Sequence, residues 1–181
     1  NGGEAWVVGS TQNITWTASD NVAIAANGID LEYSTNNGGS WTTIATNLAN
    51  TGTYAWLVPN TPSTAALVRA TARDVNGNSA QDVSDVVFTI KYYVITVTQG
   101  ANGVIAPAGP VNVVYNGSQA FTVTPNPGYH TTDVLVDNGS IGVVTGYTFS
   151  NVVGDHTITA SFAPNLLSIN NVTVGEAAGP A

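Results

Sequence analysis

The stretch Leu31-Glu32-Tyr33-Ser34-Thr35-Asn36-Asn37-Gly38-Gly39-Ser40-Trp41-Thr42-Thr43-Ile44 decides the fold. Leu31 and Tyr33 alternate with Asp30, Glu32 and Ser34, the period of a strand with one face buried. Asn36-Asn37-Gly38-Gly39 then turns the chain into a second run, Trp41-Thr42-Thr43-Ile44. The same grammar extends outward. Ile14 and Trp16 alternate with Asn13, Thr15 and Thr17, and Tyr54, Trp56 and Val58 follow. Leu67, Arg69 and Thr71 oppose Val68, Ala70 and Ala72. Asn76-Gly77 is a strong turn signal, and residues 86–90 close the set. Short strands at this spacing, with almost no helical periodicity, predict an all-β chain whose residues 1–91 form an Ig- or fibronectin-III-like β-sandwich. Trp16, Trp41 and Trp56 are expected in strands, filling the core between two sheets.

Lys91-Tyr92-Tyr93 marks a change. Residues 92–163 carry three acids, Asp133, Asp137 and Asp155, and no basic side chain. Runs such as Val94-Ile95-Thr96-Val97, Val134-Leu135-Val136 and Tyr147-Thr148-Phe149 are punctuated by glycines. They predict a second, smaller β module, joined tightly enough at Lys91, Tyr92 and Tyr93 for a semi-rigid arrangement. Residues 164–181 read as an extended tail or the start of a next domain. Leu167, Ile169, Val172 and Val174 supply one apolar strand there, and one strand cannot fold alone.

Composition narrows the function. The chain has 181 residues, no cysteine and no methionine, 3 Lys and Arg against 11 Asp and Glu, and a formal charge of −8. Disulfides, iron–sulfur clusters, cysteine zinc sites and thiol nucleophiles are excluded. Three basic residues leave no electrostatic footprint for nucleic acid or anionic lipid. No apolar run approaches the roughly 18 residues of a membrane span, so membrane insertion is not expected. Only 8% of residues are charged, against roughly 25% in ordinary domains. The first 91 residues carry 7 acids and 3 bases, residues 92–163 carry 3 acids, and Glu176 completes the count. A Thr/Asn/Gly surface of this kind predicts a secreted bacterial β-protein at the cell surface. The opening at Asn1, without Met or signal peptide, reads as a processed product or a fragment.

Asn1-Gly2-Gly3-Glu4, Trp6, Gly9-Ser10-Thr11 and Asn13-Ile14-Thr15-Trp16 resemble the opening of the Ser/Thr-rich Ig-like domains of bacterial secreted proteins. Ser19-Asp20-Asn21, Leu31-Glu32-Tyr33-Ser34, Gly38-Gly39-Ser40-Trp41 and Val68-Arg69-Ala70 with Ala72-Arg73-Asp74 fit as well. In that family a further strand precedes the Asn-Gly-Gly, so the sandwich is expected to lack its first strand. Residues 92–163 resemble a divergent internalin-type B repeat, through Tyr93, Ile95-Thr96-Val97, Gly100, Asn102-Gly103, Gly128-Tyr129-His130, Asp133-Val134-Leu135-Val136-Asp137 and His156-Thr157-Ile158. That resemblance implies a small β-grasp-like module without enzymatic activity. The tail, Leu167-Ser168-Ile169-Asn170-Asn171-Val172-Thr173-Val174, resembles the first strand of a Calx-β domain, but the acidic cluster of that domain does not follow.

Candidate chemistry is sparse, and the expectation is that the chain is not an enzyme. His130 and His156 are the only histidines, with no metal-ligand spacing between them. Asp30 and Glu32 share a strand face, as paired carboxylates in a glycosidase cleft would, and a solvated strand face explains them equally. Calcium is the one cofactor with a candidate site. Asp74, Asn76 and Asn78 resemble part of an oxygen-ligand loop, and Asp20 is a second loop position, although a calcium ion takes 6–8 oxygens. Trp6, Tyr92 and Tyr93 are the aromatics available for a glycan platform. Sequons occur at Asn13, Asn116, Asn138 and Asn171.

The favoured expectation is a non-catalytic structural segment of an extracellular or cell-surface protein: a stalk, an adhesin or a filament subunit. Its partners would be neighbouring modules or copies of itself, with residues 167–174 donated as a strand to the next copy. The alternative is a carbohydrate-binding or accessory module of a secreted hydrolase, with surface glycans as partners.

Overall fold

In a computed structural model the structure describes residues 2–167. Every regular element among them is a strand: β1 (Ala5–Val7), β2 (Thr11–Thr15), β3 (Ile24–Ser34), β4 (Thr42–Leu48), β5 (Thr53–Leu57), β6 (Ser63–Asp74), β7 (Ser79–Val83), β8 (Phe88–Lys91), β9 (Tyr93–Gln99), β10 (Gly103–Ala106), β11 (Val111–Val113), β12 (Gly117–Pro125), β13 (Tyr129–Val136), β14 (Gly139–Gly142), β15 (Gly146–Val152) and β16 (His156–Pro164). The chain is all-β. Contacts cluster into two compact units: residues 2–96 with 109–120 and 148–156, and residues 97–108 with 121–147 and 157–167.

Within the first 91 residues, one sheet runs in the order β1-β8-β6-β3-β4, with β7 also on β6. The second sheet is the pair β2-β5, in register from Thr11 opposite Leu57 to Thr15 opposite Thr53. Both sheets bury side chains in one core. Ile14 and Trp56 come from the two-stranded sheet, and Ile29, Leu31, Tyr33, Ala66, Phe88 and Ile90 come from the larger one. This is a β-sandwich, in which alternation puts every second residue of each strand inside. β6 is long enough to take two partners on one side, β8 along Ser63–Ala66 and β7 along Arg69–Arg73. β1 lies parallel to β8, Trp6 opposite Ile90, and its end is held by the Val8 N–H donating to the Lys91 carbonyl at 2.8 Å.

Of the three tryptophans expected inside, only Trp56 is in the core, at 5% exposure. Trp16 lies just past β2, half-buried, its Nε1–H donating to Asn50 Oδ1 at 3.0 Å. Trp41 lies just before β4, half-buried, with the Arg69 guanidinium 4.3 Å from the ring centroid. A ring at a strand end covers the core with its apolar face and keeps its polar group or quadrupole at the rim. Trp6 instead packs inward against Phe88, with centroids 4.5 Å apart, and against Trp56 at 5.7 Å. Ser34, on the polar side of the alternation, is buried to 1% exposure and organises the turn. Its hydroxyl accepts from the Asn36 and Gly38 amides and donates to Asn36 Oδ1, which also accepts from the Ser40 amide. Asn37 and Gly38 at the tip have φ of 55° and 85°, the conformation these residue types tolerate.

The later strands form a three-stranded sheet, β10-β12-β15, and a five-stranded sheet, β11-β9-β16-β13-β14. Ile105, Phe121 and Val123 are buried from the first; Ile95, Val113, Val134, Ile158 and Ala160 are buried from the second. The β13–β14 hairpin turns on Asp137 and Asn138, both at positive φ. Among the described residues, asparagine supplies six of the seven non-glycine residues in that region of φ, so much of the asparagine content is turn chemistry. Asn116 and Asn138, two of the sequon residues, are among them.

Candidate functional site

The acidic side chains come first, because catalysis or metal binding would need them. Asp30 and Glu32 do share a face of β3, but each meets an arginine of β6. Glu32 Oε2 receives Arg69 Nη2 at 2.5 Å and Nε at 2.9 Å, and Asp30 Oδ2 receives Arg73 Nη2 at 2.6 Å. Glu32 is directly opposite Arg69 in the register, and Arg73 reaches Asp30 on the diagonal, since Asp30 faces Thr71. The Arg73 hydrogen bond, with the Asn47 amide adding to it against the cost of burial, holds the Asp30 carboxyl below its ordinary range. The two arginine partners gave no local sequence signal; only the antiparallel register brings them over.

Asp74, the principal calcium candidate, is an acceptor for its own turn. Its carboxylate takes the Asn78 side-chain amide at 2.7 Å and the backbone amides of Asn76 and Asn78 at 2.9 and 2.7 Å. The Asn78 side-chain bond leads in lowering its pKa. Asn76 and Asn78 therefore meet Asp74 as donors in this arrangement. Asp20 Oδ1 accepts from the Val22 and Ala23 amides at 2.8 and 3.1 Å, an Asx turn of the same kind. No group of three or more His, Cys, Asp or Glu side chains converges among the described residues.

In the later strands, Asp133 accepts from the Ser140 hydroxyl, Asp137 from the Thr157 amide and Asp155 from the Val94 amide, at 2.7, 2.8 and 2.9 Å. His130 is exposed, its Nδ1 3.1 Å from Asn165 Oδ1, and His156 stacks on Phe149 at 5.0 Å. Lys91 ends β8, Tyr92 packs on the sandwich core with its hydroxyl bonded to Asn60, and Tyr93 opens β9 opposite Val113. Trp6, Tyr92 and Tyr93 are each half-buried rather than set out as a row of exposed rings. Of the four tail residues, Leu167 is 93% exposed, and Ile169, Val172 and Val174 lie outside the described residues.

A groove of about 700 Å³ lies in the sandwich, along the open side of β2. One wall is β2 and its continuation, Asn13 to Ser19. The other is Ala80, Gln81, Asp82 and Ser84 of β7 and its exit, with Glu4 and Trp6. The floor is Ile14, Ile29, Val68, Ala70, Ala72 and Phe88. β2 has β5 as its one partner among the described residues. The sequence showed β2 but neither β7 across from it nor the groove, because nothing in the β2 residues reveals which neighbour is missing. A scan against models of protein families finds no match to this chain, and a search of curated proteins finds none either.

Proposed function

We propose that the chain is a non-catalytic structural segment of a bacterial cell-surface or extracellular protein, of the stalk, adhesin or filament type. One observation carries the reading: seven of the eleven acidic side chains hold strands and turns together. Asp30 and Glu32 bridge β3 to β6, Asp20 and Asp74 close turns, and Asp133, Asp137 and Asp155 bind a hydroxyl or backbone amides of other segments. Asp30 and Asp74 engage both carboxylate oxygens within their own chain, and the other five engage at least one there. The resemblance of residues 1–90 to secreted Ig-like domains and of residues 92–163 to internalin-type repeats supports the same reading, as does the surface poor in charge and rich in Thr and Asn.

Two measurements test it. Single-molecule stretching of the chain between fixed handles should show discrete unfolding under load. Titration calorimetry against soluble polysaccharides should give no binding heat at millimolar sugar. Saturable micromolar binding of a polysaccharide would replace this reading with the accessory-module one.

A further inference from the structure

We infer that the groove beside β2 is an acceptor site for an extended strand, and that its occupant is the segment 166–174 of a second copy of this chain. The inference rests on the structural reading above and adds the partner and the site.

The backbone of β2 is presented for pairing. The Trp16 amide donates to Gly52, and the Ser10 carbonyl accepts from Val58, so even-numbered positions point their peptide groups towards β5. Alternation then turns the amides and carbonyls of Thr11, Asn13 and Thr15 the other way, to the groove. A protein that leaves such an edge bare usually blunts it with a charge, a proline or a bulge. β4, the far edge of the larger sheet, is irregular in this way: its pairing with β3 shifts register twice, and Asn47 sits at φ 56°. The Thr11-Gln12-Asn13-Ile14-Thr15 run has no charge and no proline and pairs with β5 in unbroken register.

The groove floor is cut for side chains. Ala70 and Ala72 of β6, with Ala80 on the wall, leave depth between the sheets that larger residues would fill. The apolar floor takes aliphatic residues on one face of a strand, and Glu4 and Asp82 on the wall disfavour an acidic one. Residues 165–175 carry no charge and include Leu166, Leu167, Ile169, Val172 and Val174. Ile169 and Val172 differ in parity, so one extra residue at Asn170-Asn171, a bulge, aligns Leu167, Ile169, Val172 and Val174 on one face. The eight residues 167–174, at roughly 3.3 Å each, span about 26 Å, enough to cover a wall running from Asn13 to Ser19. The start of the segment is open to a partner, Leu166 and Leu167 being 92% and 93% exposed, and a second copy supplies the occupant. Asn165, just before them, is tied to its own unit through its amide to the Gly128 carbonyl and its side chain to His130. Donation from one end into a groove elsewhere on the next copy is a heterologous contact, which extends unless it closes.

Complementation between two blocked variants of the full chain tests this. The donor-blocked form carries Val172→Asp and Val174→Asp, which would bury charge in the groove. The acceptor-blocked form carries Ala72→Phe, which fills the floor. Asn13→Pro is a second acceptor block that removes an outward amide and no bond to β5. Tryptophan fluorescence and circular dichroism establish that each form is folded. Light scattering should show the unaltered chain assembling with concentration, and each blocked form assembling only at concentrations raised about a hundredfold, some 2.7 kcal/mol. An equimolar mixture of donor-blocked and acceptor-blocked forms should give a species of twice the chain mass that grows no further. Assembly undiminished by the blocks, or an unaltered chain that stays monomeric, overturns the inference. The second result includes the case in which the groove is filled by the chain's own tail or by residues preceding it in a longer protein. Either failure leaves the stretching and polysaccharide results untouched, so the two readings stand or fall separately.

Discussion

Acidic residues do the same work in the two halves of the chain, with amide partners in both and arginine partners in the first alone. In the first 91 residues, Asp30 and Glu32 are neutralised by Arg73 and Arg69 across a strand pair. In residues 92–163 there is no basic side chain, and Asp133, Asp137 and Asp155 are satisfied by a hydroxyl and two backbone amides. A carboxylate can be fixed by an opposite charge or by oriented dipoles. An ion pair near the surface is screened by salt and tolerates small displacements; an amide contact depends on the exact backbone position and responds little to salt. The difference teaches that a nearly charge-free module can still use its few charges structurally, provided the turns deliver amides to them.

The comparison breaks most easily in the cores. All four tryptophans lie within the first 91 residues, so their fluorescence follows that half alone, whereas circular dichroism follows every sheet. Trp56→Ala should cost about 3–5 kcal/mol, read as a lower denaturant midpoint in fluorescence. Ile158→Ala, which hollows the core of the five-stranded sheet, should cost about 2–5 kcal/mol, read by circular dichroism.

Next in size is the amide contact. Asp137→Ala strands the Thr157 amide and places alanine at φ 49°, and should cost about 1–3 kcal/mol with little change between low and high salt. The arginine contact sharpens the contrast. A double-mutant cycle on Arg69→Ala and Glu32→Gln should give a coupling of about 1 kcal/mol or less, because both side chains are partly exposed. That coupling should shrink in high salt, where the Asp137 effect does not.

The smallest effect is in pH. The Asp30 pKa is lowered in the folded state, so its contribution is present in full above the unfolded value of about 3.9 and is lost as pH falls through the folded value. Thermal melts of Asp30→Asn between pH 5 and pH 2 should therefore fall less steeply with acid than those of the unaltered chain. An equal slope would show that the Arg73 pair adds nothing to folding.

Most strands were legible from alternation, since a half-buried strand writes its period into the sequence. The Leu31–Ile44 hairpin, β5 and the Val94-Ile95-Thr96-Val97 run are examples. β7 was not, because Ser79-Ala80-Gln81-Asp82-Val83 is exposed along most of its length and has no apolar period; it is a strand because the far half of β6 offers it hydrogen bonds. β1 is three residues long, too short to show a period, and exists through its pairing with β8. Trp16 and Trp41 share the strand pattern but fall past the end of one strand and before the start of another, where the same hydrophobicity makes a cover instead of a core.

By itself the sequence determined the all-β class, the turn positions and the scarcity of charge, because side-chain period and turn preference are local properties of adjacent residues. The tertiary structure alone decided which arginine each acid meets, that the Asp74 loop closes on its own amides, and that an open groove runs beside β2. Those outcomes depend on strand register and sheet order, which join residues far apart in sequence, as in the 37 positions between Glu32 and Arg69.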